Sequence, residues 1–340
     1  ILVENSFVHP YMPNSVPENK KAMLDELGIN SVEDIYKSII PDELLYKERL
    51  DIPEPIRSEY ELKRHVMGIL NRDITTEEYT SFLGAGCYKH QVPAICDEIN
   101  SRGEFLTAYC GDTYSDHGKM QAIFEYTSMM GELLDTDVVS YTTYDGGQAV
   151  ASSLRMAVRA VREKGMAGKV ILVPKTMNPE IYSQVVQYCR NVAEVRKIAY
   201  EPETGLMDLE ELKEQLAKKN VAAVFFENPT YLGNFETRGE EIAKLAHDAG
   251  AYCVVQTEVA ALGIMESPVN QGADIVCGDI QPLGMHIQFG GGQAGFIACN
   301  QNMDLVEQFP TYMYGITETE KEDTYGWGRA MNYRSSHGSR

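Results

Sequence analysis

The sequence is most informative first in what it withholds. No apolar run approaches the roughly eighteen residues that a membrane-spanning helix needs, and the opening residues do not read as a signal peptide. Basic residues are scarce: 30 Lys and Arg stand against 50 Asp and Glu, a formal charge of −20. Such a surface repels nucleic acid and anionic membrane, which excludes a reader of phosphate backbones. The seven cysteines form no CxxC pair, and several sit in apolar runs such as AYCVV and FIACN. They read as small buried hydrophobes in a reducing compartment rather than as a disulfide frame. The seven histidines form no HxxxH or HExxH pair, so no metal site is expected. A soluble cytoplasmic protein is the expectation.

What is present is the composition of a large globular chain: 340 residues, 44% hydrophobic and 24% charged. Residues 1–80 read as a helical arm. VPENKKAMLDELG has Asn14 or Ser15 as a cap and Gly28 as a stop, and Ser31 caps SVEDIYKSI. Pro53 and Pro55 forbid regular helix in the link that follows, before helical spacing returns through Leu62, Val66, Ile69 and Leu70. From residue 81 the texture changes. After helices near 91–102 and 118–134, a longer one is expected over 146–164. Strands are then expected at 169–174, 195–200, 221–227, 251–257 and 273–278, with helices at 179–190, 208–219 and 238–249. The strands are apolar on both faces, as buried parallel strands are. Alternation of this kind predicts an α/β domain with helices covering a mostly parallel sheet. Ligands in such folds sit at the carboxyl ends of strands, which singles out Lys175, Asn228, Glu258 and the loop after residue 278.

That last stretch, GDIQPLGMHIQFGGGQAGFIA (278–298), has six glycines and no lysine. Gly290, Gly292 and Gly295 formally satisfy GxGxxG, but late in the chain and ahead of a strand rather than a helix. This argues against a dinucleotide fingerprint. Either the backbone here approaches a phosphate or another chain closely, or the glycines make a plain turn between two strands. Asp145-Gly146-Gly147-Gln148 opens a helix. A Gly pair there could present N–H groups to a phosphate, or could merely begin a packed helix. Glu258 could pair with a cationic ring nitrogen or hold an arginine. His90 and His286 are open between structural and catalytic roles.

Together these segments carry a resemblance. SFLGAGCYKHQVPAICDEINSRGEFLTAY, QAIFEYTSMMGELLDTDV, YDGGQA, ENPTYLGNFE, IAKLAHDAGAYCVV and GADIVCGDIQPLGMHIQFGGGQAGF follow in order. With the opening YMPNSVPENKKAMLDELGINSVEDIY, they resemble subunit 1 of the two-subunit glycine decarboxylase, the P-protein of the glycine cleavage system. The resemblance implies the three-layer fold of type I pyridoxal-phosphate (PLP) enzymes, like aspartate aminotransferase, with an N-terminal helical arm. It implies an arm over 1–80, a large α/β domain over 81–310, and the start of an incomplete C-terminal region over 311–340.

In that fold a lysine after a late strand tethers PLP. Here the equivalent place reads Asp279-Ile280-Gln281-Pro282-Leu283-Gly284, without an amine. The resemblance therefore places PLP on a lysine-bearing subunit 2 and implies no catalytic residue within this chain alone. It implies that Gly290, Gly291, Gly292 and Gln293 approach the partner's PLP phosphate. Tyr88, His90, Tyr109 and His117 would form the substrate side. The implied reaction is decarboxylation of glycine with transfer of the aminomethyl group to the lipoyl arm of the H-protein, in an α2β2 assembly. The chain departs from the family at CGDTYSDHGKMQ (110–121), at Asp145-Gly146-Gly147-Gln148, and at Glu258, where Asp is usual. Two further readings stand beside it: a subunit of a related PLP enzyme acting on a different amino acid, supported by the altered 110–121 segment, or a catalytically dead interaction protein.

Overall fold

Hydrophobic alternation along the strands sets the architecture. In β4 (Val221–Asn228), Ala223 and Phe225 face one helical layer while Val224 and Phe226 face the other, and all four are buried. In β2 (Val170–Pro174), Ile171 and Val173 divide from Val170 and Leu172 in the same way. A strand with no polar face must be covered twice, and the result is a helix–sheet–helix sandwich. We describe a computed structural model covering residues 8–46, 48, 50–82, 89–106, 117–165, 168–291 and 293–330. The chain divides into two compact units, Ile1–Thr80 and Ser81–Arg340.

The first unit holds α1 (Pro17–Leu27), α2 (Val32–Ile39) and α3 (Glu59–Leu70), none with a fully buried residue. Gly28 ends α1 in the left-handed conformation at φ +67°, and the Ser31 N–H donates to the Asp34 carboxylate at the start of α2. The expected cap of α1 at Asn14 or Ser15 is corrected. Both residues lie in a short 3-10 turn, Val16 is the cap, and Pro17 occupies the first helical position, where its missing N–H costs nothing.

The second unit begins with α4 (Ala94–Asn100) and α5 (His117–Leu134) and builds a seven-stranded sheet. Its strands are β1 (Val138–Val139), β2, β3 (Glu194–Ile198), β4, β5 (Tyr252–Thr257), β6 (Ile275–Asp279) and β7 (Gly295–Cys299), in spatial order β1-β7-β6-β5-β4-β2-β3. β7 alone runs against its neighbours, pairing antiparallel with both β6 and β1. One face is covered by α6 (Gly146–Glu163), α7 (Pro179–Cys189) and α10 (Met303–Val306). The other packs on Met130 and Leu134 of α5, on α8 (Leu209–Leu216) and on α9 (Gly239–Asp248). The sequence expectation of helix and strand order holds from residue 117 to 279. It did not foresee β1 or the antiparallel ribbon β8 (Met313–Glu318) and β9 (Tyr325–Ala330). No helix among the described residues is long and apolar enough to cross a membrane.

Candidate functional site

Parallel strands end on the same edge, so their carboxyl ends leave a crevice there. In this chain it is a cleft of about 700 Å³. Its wall takes Asn178 and Glu180 from the start of α7, Glu227 from β4, the turn 229–233, and Gln256, Thr257 and Glu258 after β5. Asp279 from β6, Gly146 and Gly147 from α6, Gln293 ahead of β7, and Phe82 complete it. Of the strand-end residues singled out from sequence, Glu258 lines this cleft and Lys175 does not.

The cleft is acidic. Asp145, Glu180, Glu227, Glu258 and Asp279 line it, and no Lys or Arg lines it among the described residues. Glu227 is 5% exposed and accepts hydrogen bonds from the backbone N–H groups of Asn178 (3.1 Å) and Tyr231 (3.3 Å). Burial pushes its carboxyl up to about 7, with the two N–H donors opposing. Glu258 is also pushed up, by burial first and then by the Asp279 charge, while its N–H donor Ala260 and the nearby His90 pull the other way. Asp279 is raised by burial and by Asp145.

Asp279 closes the position where an anion would bind. Its Oδ2 accepts the N–H of Gly146 at 3.0 Å, and its Oδ1 accepts the N–H of Gln281 at 2.7 Å. Asp145 accepts the N–H of Gln148 at 2.6 Å. The positive end of the α6 dipole therefore already faces two carboxylates. The small residues serve close packing here. A Cβ on Gly146 would stand 3.0 Å from the Asp279 Cβ, and one on Gly147 would stand 2.6 Å from the Gln184 amide.

These residues do not fit PLP. The cofactor needs an amine for its aldehyde and donors for its dianionic phosphate. Glu258 could meet a cationic ring nitrogen, but the described lining residues supply no amine, and Asp279 holds the Gly146 N–H that a phosphate would use. The reading of Gly146-Gly147 as a phosphate cradle thus gives way to the alternative, the start of a packed helix.

The other expected site residues are placed as follows. Gln293 lines the cleft, and Gly290 sits in a left-handed turn at φ +86°. Gly291 is hydrogen-bonded through its N–H to the Gln288 carbonyl at 3.0 Å. His90 lies within electrostatic reach of Glu258. Tyr88, Tyr109 and Gly292 lie outside the described residues, as does the side chain of His117. His286 is placed against Asp97, at 3.0 Å. Sequence reasoning missed Glu227, and it named Asp279 only as standing in the lysine's place, not as the acceptor of the Gly146 N–H. The clue for Glu227 was a carboxylate closing the apolar strand VAAVFFE, where none is needed for packing.

Comparison with known proteins gives one answer. The model of the glycine cleavage system P-protein family matches residues 9–340. A relative from Pyrococcus horikoshii named "Probable glycine dehydrogenase (decarboxylating) subunit 1" is 38% identical, over 96% of this chain and 71% of its own length. A relative of the same name from Staphylothermus marinus is 35% identical over 92% of this chain, and this chain spans 66% of it. Among solved structures, glycine decarboxylase (P-protein) of the glycine cleavage system in inhibitor-bound form matches with a TM-score of 0.78. It is 30% identical, over 96% of this chain and 69% of that one. A sphingosine-1-phosphate lyase from Burkholderia pseudomallei, 14% identical over 85% of this chain and 68% of that one, shares the fold at a TM-score of 0.57. The fold is that of type I PLP enzymes. By family model, relatives and structure alike, the chain belongs to the glycine cleavage system P-protein family.

Proposed function

We propose that this chain is the subunit of a heteromeric glycine dehydrogenase (decarboxylating) that does not anchor PLP. The relatives' common name supports the activity and the existence of a second subunit. The observation that carries the division of labour is the acidic cleft: Asp279 stands on the Gly146 N–H, and no amine lines the wall among the described residues. On this reading PLP is held by the lysine-bearing subunit 2. PLP supplies the electron sink for loss of CO₂ from glycine, and the aminomethyl group passes to the lipoyl arm of the H-protein. This chain contributes surface. Its loop at 290–293 approaches the partner's PLP phosphate, and His90, with Tyr88, Tyr109 and His117, forms the substrate side. The assembly is α2β2 and works in the cytoplasm.

The test is reconstitution. Each subunit is purified alone, and CO₂ release from carboxyl-labelled glycine is measured with lipoylated H-protein. The expected result is activity only when both subunits are present. Full activity of subunit 2 by itself would remove this chain from the reaction.

A further inference from the structure

A chain of net charge −20 keeps most acidic proteins at a distance, so an uncharged window on its surface is informative. Residues 280–303 contain no Asp, Glu, Lys or Arg. The part from 295 to 299 is the buried strand β7, which explains its own lack of charge. The described residues before it form loop and two short 3-10 turns, Gln281–Leu283 and Gln288–Gly290. Within that stretch, Phe289 is 92% exposed.

The loop does not let the ring fall back. Gln288, Phe289 and Gly290 have φ of +47°, +56° and +86° in succession. The Gly290 N–H donates to the Ile287 carbonyl at 2.9 Å, and the Gly291 N–H donates to the Gln288 carbonyl at 3.0 Å. Left-handed backbone is ordinary for glycine and disfavoured for a bulky residue. Two non-glycine residues are therefore held in a strained turn whose outcome is a phenyl ring directed to solvent. Four residues on, Gln293 lines the cleft, and the cleft's wall carries further exposed apolar side chains: Phe82 (94%), Leu232 (59%) and Tyr231 (43%). Depletion of charge together with aromatic enrichment marks the centre of a protein interface. Backbone strain concentrates at such functional positions.

We propose that Phe289, held out by the left-handed turn at 288–290, is the anchor by which this chain seats on subunit 2. This rests on the reading given under Proposed function, in which a second polypeptide completes the enzyme. The occupant is that subunit because the relatives are themselves named as one subunit of an enzyme. Phe289 fills a hollow on subunit 2, from which it excludes water.

The experiment measures the dissociation constant of the purified chain for purified subunit 2, beside the melting temperature of this chain alone. Phe289→Ala is expected to weaken binding by about 30-fold or more, the effect of losing a buried aromatic anchor. The melting temperature should stay where it is, because the ring touches solvent. Phe289→Leu should restore most of the affinity. Binding by Phe289→Ala within about twofold of the parent would overturn the proposal while leaving the subunit reading intact. A parallel loss of melting temperature would overturn it as well, by giving the ring a structural role. If the unaltered chain does not bind subunit 2, the subunit reading itself fails and takes the anchor with it.

Discussion

Glu227 makes the most quantitative test of the site. It is 5% exposed, and its hydrogen-bond donors are the Asn178 and Tyr231 N–H groups rather than a cation. Burial raises its carboxyl from 4.5 to about 7. A carboxyl raised in the folded state binds its proton more tightly there than in the unfolded chain. The stability it contributes is therefore full below pH 4.5, falls as pH rises from 4.5 to about 7, and is level above that. Integrated over this interval, the loss is roughly 3 kcal/mol. Glu227→Gln imitates the protonated form at every pH. Relative to that form it loses about 1 kcal/mol, because one N–H now faces an NH₂ group where a carboxylic OH keeps a lone pair to accept it. At pH 5 variant and parent should therefore unfold alike. At pH 8 the variant should be more stable by about 2–3 kcal/mol, or about 5–10 °C in melting temperature for a unit of this size. Guanidinium unfolding at pH 5, 6, 7 and 8 reads the difference directly, and titrations common to both proteins, such as those of Glu258 and Asp279, cancel. A difference between variant and parent that stays flat from pH 5 to 8 would refute the buried-carboxylate argument.

Three other outcomes are expected. Glu236, with a side chain 2% exposed, is neutralised by Arg238, which also binds Glu201 at 2.7 Å and the Met207 carbonyl at 2.6 Å. Arg238→Met strands that buried charge and should cost about 3–5 kcal/mol, read as a lower thermal midpoint, with Glu236→Gln restoring part of it. A Cβ at Gly295 would land on the Asp145 carbonyl and the Thr143 hydroxyl, whereas at Gly291 its nearest neighbour is the Gln288 carbonyl at 3.4 Å. Gly295→Ala should therefore lose about 3 kcal/mol in urea unfolding, and Gly291→Ala less than about 1 kcal/mol. Finally, borohydride reduction of the isolated chain with stoichiometric PLP should leave its mass unchanged. A pyridoxyl group fixed on one defined lysine would contradict the charge argument for the cleft.

The legible parts of the fold were those in which one periodicity ran long enough to dominate. β4 and α6 bury nearly every residue that the pattern assigned to the core, and their predicted ends lie within one residue of the observed ones. Short or mixed elements left no such trace. β1 is two residues long and exists because Val138 and Val139 pair with Cys299 and Ala298, more than 150 residues away. The β8–β9 ribbon carries Gly315, Gly326 and Gly328 in a stretch crowded with acids, the composition of a loop; cross-strand pairing supplies what propensity does not. The α1 cap was misplaced because Asn14, Ser15 and Pro17 all signal a helix start. Proline settled the matter by fixing its own backbone at the first position.

The site was legible only as a location. Strand-end logic pointed to Glu258, and the glycine-rich stretch after β6 pointed to the cleft's other wall. The charge of the cavity emerges only when β2, β4, β5 and β6 end side by side and bring together carboxylates scattered from residue 145 to residue 279. Their convergence changes what the missing lysine means. A tether could be restored by one substitution, but the Gly146 N–H is already held by Asp279, and burial already favours protons on Glu227, Glu258 and Asp279. A cofactor phosphate entering this cleft would have to displace one carboxylate and meet four others, with no compensating cation among the described lining residues. On the reading given under Proposed function, the described lining residues therefore disfavour the cofactor in their electrostatics as well as in their chemistry. The exposed Phe289 in the left-handed turn at 288–290 is, on that same reading, the feature a supporting subunit would present.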